Sequence, residues 1–463
     1  MPSDCPGGIS SGRSPSVSGS SLPARQRHIH DFAPFMDSPA RDQTARRDGR
    51  RKVLVLASTF PSSVQPIHGV FVKERVKAVA ARDEFDLRVM STIPYFPPLK
   101  FFPRWYPLSQ TPRQEMIDGL AVSRPRYALI PKIGGYWHAE LMYWSIRNAV
   151  KRLYAEFPFE LIDAHFVYAD GVVAAMLGRD YNVPVVMTAR GEDMIRFPDL
   201  PVIGDSIRWG LRRGTRFVGL SEELAEKMRQ NGAPADRVSV ISNGVDTQKF
   251  HPIPMDEARR TLGLPLNRRI IIGVGYLLER KGFHLAIEAL PAIREKHPDT
   301  MLVIVGGVAR WGQDYSAEIQ ESIRKSGMAD HVFLAGPRPP EELFRWYSSA
   351  DVFTILSSRE GSPNAPMEAL ACGVPIVATP IGSIPQLLTT PGLGVMLPER
   401  SVTAAANGLS SALTKEWDRR AIREWAVGQS WASVAQSVSK VFFEALGERD
   451  AQTGSATQQN ARE

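Results

Sequence analysis

The sequence predicts an α/β protein built on two doubly wound parallel sheets, and three observations carry that expectation. From Lys52 onward, short β-branched runs alternate with amphipathic stretches, the pattern of βα units feeding a parallel sheet. The alternation is broken once, at the turn-rich stretch Asn243-Gly244-Val245-Asp246 through Phe250-His251-Pro252, where a linker between two sheets would sit. The length agrees: of 463 residues the polar, Arg- and Ser-rich ends are read as unpacked, and the roughly 400 that remain suit two domains or three.

In the first half the expected strands are Val53–Ala57, Leu87–Met90, Leu161–Ala164, Val183–Thr188, Arg216–Leu220 and Val238–Ile241. In the second half they are Ile270–Val274, Met301–Val305, Val332–Leu334, Val352–Leu356 and Pro375–Ala378. A last amphipathic segment places Trp431, Val434, Val438, Val441, Phe442 and Ala445 at helical spacing after a complete second half, so it is expected to pack back on the first domain. The organisation read from this is a disordered extension over 1–50, a first Rossmann-like domain over 51–250, a second over 251–430, a return helix over 431–447 and a disordered tail over 448–463. Two such domains would face each other across a cleft lined by strand carboxyl ends and helix N-termini, a setting that suits phosphate-bearing ligands.

Composition narrows the function classes. Apolar residues make up 43% and charged residues 23% of the chain, enough for large cores, and no apolar run approaches the length of a membrane span. Two cysteines, Cys5 and Cys372, leave neither a disulfide framework nor a thiolate metal cluster, so a reducing, cytoplasmic setting is expected. Residues 51–250 carry 27 basic and 21 acidic groups, whereas residues 251–463 carry 22 and 23. The excess in the first half is either a solvated face or the mark of an anionic surface or substrate, and without a basic motif interleaved with stacking aromatics nucleic acid is not an expected partner.

The most informative segment runs from Glu360-Gly361-Ser362-Pro363-Asn364-Ala365-Pro366-Met367-Glu368 to Cys372-Gly373-Val374-Pro375. A turn carrying Glu360 follows a strand, a helix is expected to begin near Asn364 with that side chain as its N-cap, and Gly373 then Pro375 stop it. The amides at that N-terminus form an anion site, and carboxylates on either side of a bound phosphate would be matched to hydroxyls of a sugar and a ribose.

Two glutamates seven residues apart in this setting closely resemble the retaining nucleotide-sugar glycosyltransferases of family 4, which have the GT-B fold. The resemblance extends from about Lys52 to Leu446. It includes Ile241-Ser242-Asn243-Gly244-Val245-Asp246, Gly275-Tyr276-Leu277 with Arg280-Lys281-Gly282, Asp163-Ala164-His165 and His68-Gly69-Val70. The stretches around His68–Glu74 and Ala189–Asp193 are most similar to transferases that build cell-envelope and exopolysaccharide glycans.

What the resemblance implies is a retaining transfer from a nucleoside-diphosphate sugar to a glycan or lipid-linked acceptor. Glu360 would act on the donor sugar, Glu368 would accept from the ribose, and Lys281 would neutralise the leaving diphosphate. His165 would meet the sugar or acceptor from the opposite domain, a satisfied core histidine being the competing reading. Gly69, Gly361, Asn364 and Ala365 would bring backbone close to the donor. Tyr276 stands where the family usually has arginine, which makes Arg280 the substitute cation; Arg190 stands where many relatives have histidine, and Gln386 where glutamate is usual. No D-x-D motif suggests a divalent ion, so neither metal nor cofactor is expected. A catalytically silent sugar-nucleotide binding module and a Rossmann oxidoreductase are the rival functions, the latter weakened because Gly273-Val274-Gly275 lacks the third glycine of the dinucleotide fingerprint. The aromatic run Tyr95–Tyr106, with Lys100 and Arg104 interleaved, suggests an anionic membrane surface at the inner face as a further partner, or a loop over the acceptor side of the cleft.

Overall fold

Each segment expected to be a strand is one. The computed structural model describes residues 49–101, 105–129, 137–309 and 314–460, with side chains to Glu448. Arg104 and nearly all of the 1–50 extension therefore lie outside the described residues. In the first half the strands are β1 (Arg51–Leu56), β2 (Phe85–Met90), β3 (Ile93–Pro94), β4 (Gln114–Ile117), β5 (Leu120–Ser123), β6 (Arg126–Tyr127), β7 (Leu161–His165), β8 (Val185–Ala189), β9 (Arg216–Gly219) and β10 (Val238–Val240). The second half adds β11 (Arg269–Val274), β12 (Thr300–Val305), β13 (Val332–Gly336), β14 (Val352–Ile355), β15 (Ile376–Ala378) and β16 (Gly394–Met396).

The first sheet has the order β10-β9-β8-β7-β1-β2-β5-β4 and the second the order β13-β12-β11-β14-β15-β16. Pairing is parallel throughout except for β4 with β5. Central strands such as β7, β8 and β12 are buried along their whole length, because helices cover both faces of each sheet and leave no wet face to alternate with. The direction of winding reverses between β1 and β7 in the first sheet and between β11 and β14 in the second. Loops leaving the carboxyl ends of strands at such a reversal form the natural ligand crevice.

Three features differ from expectation. The hairpin β4–β5 was not expected, although Asp118 and Gly119 both take positive φ, 47° and 81°, as a two-residue turn between paired strands requires. The final helix runs Trp431–Asn460 and passes the expected boundary at 447, since the tail is polar but free of proline. The helix Asn364–Ala371 has Pro363, not Asn364, at its N-cap position, and no side chain caps it, because proline carries no side-chain acceptor; the Asn364 amide instead accepts from Asn243.

The final helix does return to the first sheet. Ala435, Val438, Val441 and Phe442 pack into one cluster with Val53, Val72, Val76 and Phe85, and the Phe85 and Phe442 rings meet edge to face at 5.4 Å. On its way the chain runs beside the linker: Val245 donates its amide to Gln429 O at 3.1 Å, and Arg423 donates to the carbonyls of Phe250, Ala371 and Thr247. The chain thus crosses between the sheets twice at one place. All of this belongs to a single compact unit.

Candidate active site

At the reversal point of the second sheet, the loop after β11 carries Arg280 and Lys281 in a single helical turn, ended by Gly282 at φ 72°. A side chain on Gly282 would meet the Leu356 carbonyl, so the close passage of the two loops requires glycine. The loop after β14 carries Ser357 and Glu360. Lys281 Nζ donates to Glu360 Oε1 at 2.5 Å, Arg280 donates to the same oxygen at 3.1 Å, and the Ser357 hydroxyl donates to it at 3.0 Å. Burial alone pushes the Glu360 carboxyl up, but the charges of Lys281 and then Arg280 outweigh it and hold the group below its usual range. Glu360 is therefore ionised, with two cations on one oxygen. Tyr276 points the other way in character, being 47% exposed.

The helix Asn364–Ala371 starts directly after this loop. Glu368 lies one turn inside it, half-buried, where the hydroxyl of the fully buried Tyr347 donates to its Oε2 at 2.7 Å. Burial raises the Glu368 pKa, and the Tyr347 bond only partly offsets it. Asn364 and Ala365 occupy the first turn, where backbone amides have no acceptor within the helix.

At the reversal point of the first sheet, Gly69 opens the helix Val70–Ala80 with φ 77°, and a Cβ there would sit 2.6 Å from the Thr59 carbonyl oxygen. His165 ends β7 but is fully buried. Its Nε2 lies 3.0 Å from Asp163 Oδ2 and its Nδ1 lies 2.6 Å from an Arg190 guanidinium nitrogen. Both ring nitrogens are thus engaged within the protein, and in this conformation the structure does not bring His165 together with the Glu360 cluster. Burial lowers its pKa to about 3, so the ring is neutral. Asp163 also accepts from buried Arg75 at 3.3 Å; burial pushes its carboxyl up, but Arg75 and then His165 draw it down to about 2.

The two halves touch through small residues and amides. A side chain on Gly361 would strike the Arg190 carbonyl, and Asn243 of the linker donates to Asn364 Oδ1 at 3.0 Å. Gly361 is therefore needed for the approach of the opposite loop. Ser357, Tyr347 and Asn243 are the participants that sequence reasoning missed as site residues; Asn243 was legible only as part of a linker motif, and Tyr347 carries no local signal. Gln386 is exposed in the short helix Ile384–Leu387. Among the described residues, no group of three or more His, Cys, Asp or Glu could hold a metal ion, and no helix is long and apolar enough to cross a membrane.

Residues 254–427 match the family described as glycosyl transferases group 1, and residues 101–249 match glycosyltransferase family 4. This chain belongs to the glycosyltransferases. The four residues between the two matches fall in the linker that joins the sheets. The glycosyltransferase is 30% identical over 235 residues to a D-inositol 3-phosphate glycosyltransferase of Corynebacterium urealyticum, a match covering 49% of this chain and 55% of the relative. It thus spans little more than half the length of that relative. It is 26% identical over 345 residues to TuaC of Bacillus subtilis, whose name places it provisionally in teichuronic acid biosynthesis; that match covers 73% of this chain and 82% of TuaC. Among solved structures, HepE of Anabaena in complex with UDP superposes with a TM-score of 0.64 at 18% identity, covering 85% of this chain and 99% of HepE. The sucrose-phosphate synthase of Thermosynechococcus elongatus gives 0.67 at 19% identity, covering 86% and 100%. At that identity the likeness shows the fold, and the fold is GT-B.

Proposed function

We propose that this glycosyltransferase moves a hexosyl residue, with retention, from a nucleoside-diphosphate sugar to an acceptor hydroxyl in polysaccharide or glycolipid assembly. The observation that carries the reading is the Glu360 cluster. Lys281 and Arg280 set two positive charges against one carboxylate, beside the first-turn amides of Asn364–Ala371 and at a reversal point of the sheet. Such a cluster lacks one anion, and a diphosphate supplies it. As the glycosidic bond breaks, negative charge grows on the leaving phosphate, and Lys281, Arg280 and the helix amides stabilise that charge more than they stabilise the bound donor. Glu360 then faces the sugar and the charge developing at its anomeric carbon, while Glu368 receives ribose hydroxyls. No carboxylate is assigned as a covalent nucleophile, so attack on the same face, assisted by the departing phosphate, is the preferred course. The protein supplies the cations, and no metal is required.

The UDP bound to HepE supports a nucleoside diphosphate in a fold of this kind, and the name of TuaC supports an envelope glycan as acceptor. The first half presents Tyr95 and Phe101 with 61% and 72% of their surface open, next to Lys100, which suits docking on an anionic membrane surface where such an acceptor is held. Thermal-shift measurements with UDP-, GDP- and ADP-sugars test the donor: a cognate sugar nucleotide at a hundred times its Kd stabilises by about 2.7 kcal/mol. Transfer from that donor should persist in EDTA. Absence of any shift across the panel, or activity lost to chelation and restored by Mg²⁺ or Mn²⁺, overturns the reading.

A further inference from the structure

Arg190 sits where the two halves meet and has only 7% of its surface exposed. One arm of its guanidinium lies 2.6 Å from His165 Nδ1 and the other donates to Asn243 Oδ1 at 3.4 Å. Its backbone is anchored as well, the Arg190 and Gly191 amides both donating to Asp193 Oδ1. A guanidinium donates and never accepts. His165 Nδ1 must therefore be the accepting nitrogen, which sends the ring proton to Nε2 and so to Asp163. The Asn243 carbonyl must likewise face Arg190, which turns its amino group to Asn364 Oδ1. With its oxygen taken, Asn364 keeps its own amino group for another oxygen.

We propose that Arg190 is a positioning residue of this glycosyltransferase, whose donor-only guanidinium sets the direction of hydrogen bonding on both sides of the cleft. Towards the first sheet it keeps His165 Nδ1 an acceptor while the Asp163 carboxylate takes the Nε2 proton, so the ring stays neutral. Towards the second it fixes the Asn243 amide, and through it the polarity that Asn364 presents at the start of the donor-side helix. Every bond leaving Arg190 runs outward, so neither amide nor imidazole can flip without facing two donors or two acceptors to each other. The site is thereby held as a set of donors for an oxygen-rich ligand. The catalytic consequence rests on the proposed donor site, whereas the tautomer does not depend on it.

Arg190→Gln is the informative variant, since a glutamine amide both donates and accepts and so abolishes the direction while filling much of the space; Arg190→Lys keeps a donor without an acceptor. Nitrogen NMR of the His165 ring in the unliganded enzyme near neutral pH should give the neutral Nε2–H ring for the wild type and Arg190→Lys, and a population protonated on both nitrogens for Arg190→Gln, because the glutamine oxygen can accept from Nδ1 while Asp163 still accepts from Nε2. With the donor that the thermal-shift panel selects, Arg190→Gln should lose about tenfold or more in kcat with little change in donor KM, with Arg190→Lys in between. Asn243→Asp, which still accepts from Arg190 but can no longer donate to Asn364, should reproduce the kcat loss with the His165 tautomer intact, and it keeps the test open if Arg190→Gln does not fold. A wild-type neutral ring in Arg190→Gln overturns the proposal. So does a protonated ring with wild-type kcat, which would make Arg190 a structural residue only. If no sugar nucleotide binds, the donor site is misread, and the NMR result still judges the hydrogen-bond direction.

Discussion

The two sheets present charged clusters at corresponding reversal points, and the clusters differ in how completely they are paired. On the first sheet Arg75, Asp163, His165 and Arg190 are all buried, and each is bonded to another member. On the second, Lys281 and Arg280 keep 16% and 38% of their side-chain surface open while sharing one oxygen of Glu360. The first arrangement is closed, so removing its buried carboxylate is paid for in stability, and Arg190 is the member that also reaches the opposite wall through Asn243. The second is partly open and short of negative charge, so changes there should register in ligand binding and turnover. Similar topology thus yields a fully paired cluster on one wall and a partly open one on the other.

That contrast fails if stability and activity effects do not separate along it. The largest effect is expected for Asp163→Asn, which leaves buried Arg75 without its ion-pair partner and should cost about 3–5 kcal/mol of stability, measured by urea unfolding. A loss within the ordinary range of surface substitutions would mean that water reaches the cluster. Next, Lys281→Ala should reduce transition-state stabilisation by about 2–4 kcal/mol, read in kcat/KM, with the melting temperature nearly unchanged. Equal losses of stability and activity would move Lys281 to the structural side. Arg280→Ala, more exposed, should weaken nucleoside-diphosphate binding by about 1 kcal/mol in calorimetry, and an unaltered Kd would detach Arg280 from the site.

A fourth test concerns pH. Asp170, fully buried beside β1, accepts from the amide and hydroxyl of Ser58, and burial raises its pKa to about 7. A carboxyl whose pKa is higher folded than unfolded contributes its full stability below the unfolded value and loses it as pH rises through the folded one. Wild type should therefore lose stability relative to Asp170→Asn between about pH 4 and about pH 7 and run parallel to it above. Parallel curves through the whole window would show that Asp170 is ionised in the fold. His165, whose pKa shifts the other way, contributes alike to both proteins and cancels from the comparison.

The local chemistry of the strands explains why so much of the fold was legible. β1, β11 and β12 are continuous apolar runs because a parallel strand is buried on both faces, and such runs need no partner to be recognised. The Glu360–Pro375 segment is equally local, since turn, helix and helix stop follow from neighbouring residues. Asp118-Gly119 carried a hairpin signal of the same kind, but Gln114–Ile117 lacks the β-branched run that marks the other strands.

By itself, then, the sequence determined the two wound sheets, the linker, the returning helix and the segment that holds both glutamates. Tertiary structure decided which charges meet. Glu360 gains Lys281 from 79 residues away, His165 is closed off by Arg190 from 25 residues away, and Asn364 is paired with Asn243 from 121 residues away. Secondary structure arises from spacing within a few residues and is written locally. Pairing of buried polar groups depends on which loops the topology brings to the same edge, and in a doubly wound fold those loops come from strands far apart in the chain.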